Sequence, residues 1–173
     1  TAQSDILQFL DARYNATAEM ASTLWDYAEV GYQEEKSSLL LQETLAAEGF
    51  EIEVAVAVAG IPTAFVASYG SGAPVIAILA EYDALPGITQ AATPTRNPID
   101  GKGAAHACGH NLFAAGSVGA AIAAKYWLEE TGAAGTIRLY GTPAEEGGSG
   151  KVYLVREGLF DDVDVALHWH ASG

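Results

Sequence analysis

Apolar side chains recur at near-helical spacing at Ile6, Phe9, Leu10, Met20, Leu24 and Trp25, and predict a helix over 4–30. Ser4 and Asp5 are of the types that cap helix starts, so the first turn is expected there. Leu40, Leu41 and Leu45 share one side of a second helix over 37–47, with Gly49 as its stop. Both helices read as scaffold. From residue 51 the period falls to two: Ile52, Val54 and Val56 alternate, 60–62 make a turn, and 63–69 supply a partner strand. After a turn at 70–73, residues 74–80 (PVIAILA) are almost continuously apolar, as in a strand covered on both faces. Segments 136–140 and 163–167 repeat that pattern.

Helical stretches over 112–129 and 150–157 separate these strands, so strand and helix alternate as in a sheet built with right-handed crossovers. The expected class is α/β with a largely parallel sheet. Ligands in such sheets sit beyond the carboxyl ends of the strands. Each of the three apolar strands ends in polar residues: Glu81 and Asp83, Glu145 and Glu146, His168 and His170.

Composition narrows the range of functions. A chain of 173 residues, half of them hydrophobic, can bury one core and form a single domain. Its net charge of −14, with the few Lys and Arg scattered, disfavours nucleic acid as a partner. No apolar run reaches the roughly 20 residues that span a bilayer, and no membrane partner is expected. The single cysteine leaves Cys108 without an internal disulfide, so it is a free thiol, a ligand or a nucleophile. The chain opens on Thr1 rather than Met, which leaves a removed leader open; a cytoplasmic location is favoured over a periplasmic or secreted one.

Three clusters carry candidate chemistry. His106-Ala-Cys108-Gly-His110-Asn111 sets three residues of metal-ligand type close together, with Gly109 permitting a sharp turn. Residues two apart do not share a helix face, so Cys108 and His110 converge only in a loop that precedes a helix starting near Asn111. A buried thiol beside a structural histidine reads the same string without metal. Glu145 and Glu146 follow a strand and precede a glycine-serine run. On extended backbone their side chains point to opposite sides, one toward a metal and one toward substrate. A solvated acidic pair and a phosphate-cradling loop are the alternatives. In His168-Trp169-His170 the two imidazoles share a strand face, one as ligand and the other hydrogen-bonded or touching substrate.

The strings ILAEYDALPG (78–87), HACGHN (106–111), GTPAEEGGSGK (141–151) and VREGLFDDVDVALHWH (155–170) resemble, in order, the di-metal amidohydrolases of the aminoacylase and carboxypeptidase type. The resemblance implies a zinc-exopeptidase-like three-layer sandwich, of which 1–173 is the amino-terminal part. The dimerisation domain and a carboxyl-terminal catalytic segment with a further histidine ligand are absent. It also implies Cys108, His110, Glu146 and His170 as metal ligands, with the thiolate where other branches place a bridging aspartate. Glu145 would be the general base and Asp83 an orienting residue beside the metals. His168, Asn111 and His106 would contact substrate or support the ligands, although Asn111 stands where several relatives have aspartate.

The implied activity is hydrolysis of an amide between an acyl or aminobenzoyl group and an amino acid. Two divalent metal ions would assist, zinc favoured on the thiolate and imidazole ligands and manganese the alternative. Implied partners are a small-molecule amide substrate and a second subunit, in a homodimer or heterodimer through the absent domain. The rival is a non-catalytic subunit or structural metal module, which has no need of Glu145. A cysteine hydrolase built on Cys108 leaves the glutamate pair without a task.

Overall fold

The computed structural model describes residues 2–54 and 59–171. Helix α1 (Ala2–Tyr27) and helix α2 (Glu35–Ala47) open the chain. Strand β1 (Glu51–Val54) pairs antiparallel with β2 (Phe65–Ser71), and after β3 (Val75–Ala80) comes a short strand pair, β4 (Leu85–Pro86) with β5 (Ala104–Ala105). Helix α3 (His110–Thr131), strand β6 (Gly135–Gly141), helical turns α4 (Glu145–Gly148) and α5 (Gly150–Arg156), and strand β7 (Val165–Leu167) complete it.

The main sheet has the order β1-β2-β6-β3-β7. Its β6-β3-β7 side is parallel, while β2 runs antiparallel to both β1 and β6, so the sheet is mixed. The two-residue period sorts the side chains onto two faces. Phe65, Ala67, Ile78, Ala80, Ile137 and Leu139 face Leu24, Leu41, Val118 and Ile122 of the three long helices. Val66, Ala77 and Tyr140 face the other way, onto Leu154 of α5 and the Leu159–Phe160 turn. Helices, sheet and α5 thus form three layers of an α/β fold.

Three expectations need adjustment and one lies outside the described residues. Ser4 and Asp5 lie inside the first turns of α1, which begins at Ala2. Val56 falls outside the described residues. Strand β7 is not covered on both faces among the described residues: it lies at the sheet edge, and Val165 and Leu167 are exposed. Glu145 and Glu146 do not continue an extended segment but open a helical turn, because Ala144 before them is left-handed, with φ 57°. Among the described residues no helix is long and apolar enough to cross a membrane.

Candidate metal centre

The parallel register of β3 with β6 pairs Ala80 with Gly141, so the residues after each strand emerge side by side. Glu81 and Asp83 follow the first, and the Thr142–Glu146 segment follows the second. Helix α3 enters between them on Gly109, whose φ of 86° in the left-handed region suits glycine. That turn delivers His110 to the first helical position, fully buried.

The His110 ring is the hub. Its Nδ1 lies 2.8 Å from Asp83 Oδ1 and 3.0 Å from the Asp83 carbonyl oxygen. Asp83 Oδ2 accepts the Glu146 backbone N–H at 2.8 Å, tying both glutamates to the hub. On the opposite side of the ring, Nε2 lies 2.9 Å from Glu81 Oε2, 3.9 Å from Glu145 Oε2 and 4.0 Å from Glu146 Oε1. Despite the short approach to Glu81, Nε2 has no aligned hydrogen-bond partner; neither has Glu81 Oε2 nor Glu146 Oε1, all three buried. Unpartnered buried polar atoms are costly, and here they face one another.

Two sets of side chains bring ligand atoms within 4.8 Å of one another: Cys108, His110 and His170, and Glu81, His110 and Glu145. Cys108 Sγ lies 3.3 Å from His170 Nε2, and the His110 and His170 rings meet edge-on at 5.4 Å. Burial pushes His110 down, but the carboxylates of Asp83 and Glu81 override it and raise it to about 10. Burial raises Glu81, but the close approach of His110 and the bonds from Lys151 and His168 lower it to about 2. The Cys108 thiol is pushed up to about 11 by burial and by Glu146 beside it. An imidazole ringed by carboxylates and a thiol calls for positive charge, and a divalent cation that deprotonates thiols meets that demand.

Of the residues proposed from sequence, the structure therefore gathers Asp83, Cys108, His110, Glu145, Glu146 and His170. His168 joins them indirectly: its Nε2 lies 3.1 Å from Glu81 Oε1, and its ring, like that of His170, stands edge-on to Phe113. His106 and Asn111 are directed elsewhere. His106 Nε2 lies 3.1 Å from the Leu24 carbonyl oxygen, tying the segment before α3 to α1, and Asn111 Nδ2 donates to the Ala21 carbonyl at 3.0 Å, tying α3 itself to α1. Packing accounts for two glycines of the run: a Cβ at Gly148 would overlap the Tyr32 ring, and one at Gly150 the Pro143 carbonyl. Sequence reasoning placed Glu81 with Asp83 at a strand end but gave it no role in the site. It also passed over Lys151, which pairs with Glu81.

A three-layer α/β sandwich with such a cluster beyond its strand ends is the design of a metallopeptidase-type domain. The chain belongs to Peptidase family M20/M25/M40, whose model matches residues 77–173. It is 47% identical over 173 residues to a subunit of the p-aminobenzoyl-glutamate hydrolase of Escherichia coli (strain K12), a match covering 96% of this chain and 35% of that protein. It is 32% identical to the Xaa-Arg dipeptidase of Mus musculus, over 94% of this chain and 36% of that one. Among solved structures it resembles the YXEP protein of Bacillus subtilis, described as a dinuclear metal binding peptidase. That likeness has a TM-score of 0.76 and 28% identity, and covers 91% of this chain and 43% of that one. The chain thus spans about a third of the length of these curated relatives.

Proposed function

We propose that this chain forms the metal-binding part of an amidohydrolase that cleaves the amide between an acyl or aminobenzoyl group and an amino acid. The observation that carries the reading is the His110 imidazole. Asp83 holds one nitrogen, and the other is buried, lacks a hydrogen-bond partner and faces three carboxylates. Cys108, His110, Glu146 and His170 would hold two divalent ions, zinc favoured and manganese the alternative, with Glu81 facing the same space. Bound there, the ions supply Lewis acidity toward the scissile carbonyl and toward water. Glu145, the more exposed glutamate, takes the proton from water and returns it to the leaving nitrogen. A purely structural metal module has no use for that exposed carboxylate. The names of the relatives support the substrate class, and the designation of one as a subunit supports assembly with a second chain. We read 1–173 as the amino-terminal part of the metal-binding domain, with dimerisation through a further domain, in the cytoplasm, where a thiol ligand stays reduced.

The test uses the complete natural polypeptide, assayed for zinc content and for hydrolysis of p-aminobenzoyl-glutamate. Glu145→Gln should keep its metal and lose turnover by ~10²–10⁴-fold, whereas Glu146→Gln should lose metal as well. Near-normal turnover in Glu145→Gln removes the general-base role, and a wild-type polypeptide that binds no metal sinks the reading.

A further inference from the structure

Glu34 is fully buried, remote in sequence from every cluster described above, and has no part in the chemistry assigned so far. A buried carboxylate is retained only where hydrogen bonds compensate its desolvation. It immediately precedes α2 yet makes no side-chain cap to that helix. Its Oε2 accepts the Thr63 hydroxyl at 2.9 Å, and its Oε1 accepts the Ala144 backbone N–H at 2.8 Å. The Thr63 end is anchored in turn, because its carbonyl accepts hydroxyls from Ser38 at 2.8 Å and Tyr82 at 2.6 Å.

Ala144 is where the chain leaves the sheet for the glutamates, and it does so in the left-handed region that a Cβ disfavours. The loop carrying Glu34 is moulded to it. A Cβ at Gly31 would lie 2.9 Å from Ala144 Cα, and the Tyr32 hydroxyl donates to the Gly148 carbonyl at 2.6 Å. With its N–H fixed on Glu34, Ala144 turns the chain so that Glu145 faces His110, while Glu146 keeps a separate anchor in the bond from its N–H to Asp83 Oδ2. We infer that Glu34 is a positioning residue for Glu145, acting through the Ala144 peptide. The inference rests on the general-base role proposed for Glu145.

The test uses the complete natural polypeptide loaded with zinc, with p-aminobenzoyl-glutamate as substrate. Glu34→Leu should lower kcat by roughly 10²-fold, the penalty of a misplaced catalytic group, with zinc content and KM near wild type. Glu34→Gln keeps an acceptor oxygen for the Ala144 N–H and can turn its amide to the Thr63 hydroxyl, so it should recover most of kcat. Thr63→Val, which removes only the other partner, should lower the unfolding midpoint and spare kcat. In a Glu145→Gln background, Glu34→Leu should cost nothing further. Loss of zinc in Glu34→Leu, absence of rescue by Gln, equal kcat losses in Thr63→Val, or multiplying losses in the double variant each overturn the proposal. If Glu34→Leu does not fold, Glu34→Asp, with its carboxylate withdrawn by a methylene, is held to the same outcomes. A crystal structure of the variant gives an activity-free answer: Ala144 should leave the left-handed region, and an unmoved Glu145 carboxylate overturns the proposal. Failure of the general-base role shows separately, as near-normal turnover in Glu145→Gln alone.

Discussion

Asp83→Asn changes one atom of the site and leaves its volume alone. Asp83 is 1% exposed and accepts twice, from His110 Nδ1 at 2.8 Å and from the Glu146 N–H at 2.8 Å. Asparagine has a single acceptor oxygen to divide between those two donors. If the oxygen stays on Glu146, the amide NH2 faces Nδ1, and the ring proton must move to Nε2. That nitrogen faces the carboxylates and can no longer ligate. If the oxygen stays on His110, two N–H donors confront each other at Glu146. Either arrangement loses one buried, charge-assisted bond, which should destabilise the fold by about 1–3 kcal/mol. Removing the group that orients a ligating histidine typically weakens metal binding by about 10–100-fold, or about 1.4–2.7 kcal/mol. Urea unfolding reads the first effect and calorimetric titration with zinc the second. A variant that binds zinc as tightly as wild type refutes control of the His110 tautomer by Asp83.

The same geometry fixes other outcomes. Cys108→Ala and His170→Ala each remove one member of the Cys108, His110, His170 set, and metal analysis should show one ion fewer in either. His168→Ala, whose imidazole meets Glu81 rather than Cys108, should retain both ions; full metal with lost activity in Cys108→Ala would point instead to a cysteine nucleophile. Gly141→Ala places a Cβ in overlap with the buried Phe65 ring and 2.8 Å from the Tyr82 hydroxyl, an overpacking that should destabilise by about 1–3 kcal/mol in urea unfolding. A midpoint unchanged from wild type contradicts it. Burial raises Glu34 from 4.5 to about 6, so the native state holds that proton to higher pH than the unfolded chain does. Its stabilising contribution is complete below pH 4.5 and is lost as pH rises to about 6, roughly 2 kcal/mol in all. Unfolding measured across that window should show a slope that Glu34→Gln lacks.

Much of this was legible in residue type and spacing. The apolar runs located β3, β6 and the long helices within a few residues; the polar residues at strand ends supplied Asp83, both glutamates and His170, and the loop before α3 supplied Cys108 and His110. What failed depended on distant neighbours. The left-handed turn at Ala144 is set by Gly31 and Glu34, far away in sequence, so local propensity read an extended segment where a helical turn forms. The apolar character of β7 promised burial, but burial depends on what packs over a strand's faces, and among the described residues Val165 and Leu167 stay exposed. His106 and Asn111 are of ligand-like types, yet their positions place them against backbone carbonyls of α1, which no spacing rule anticipates.

Separate stretches of sequence make one site because register brings them together. In a parallel sheet neighbouring strands end on the same side, so pairing Ala80 with Gly141 places Glu81 beside Thr142, and Thr142 bonds back to the Ala80 carbonyl through both its N–H and its hydroxyl. Pairing Ile78 with Leu167 ends β7 two residues lower on β3, so the His168-Trp169-His170 segment reaches the same level as it leaves the sheet. Trp169 stacks edge-on against Phe113 at 5.4 Å and fills the space over Gly116, where a Cβ would meet its ring at 2.8 Å. That packing holds the segment over the start of α3 with only three residues of β7 in the ladder. A one-residue slip of β7 would reverse the faces of both histidines and separate His170 from Cys108. The aromatic contact between Trp169 and α3 therefore joins the backbone pairing in keeping His170 beside Cys108.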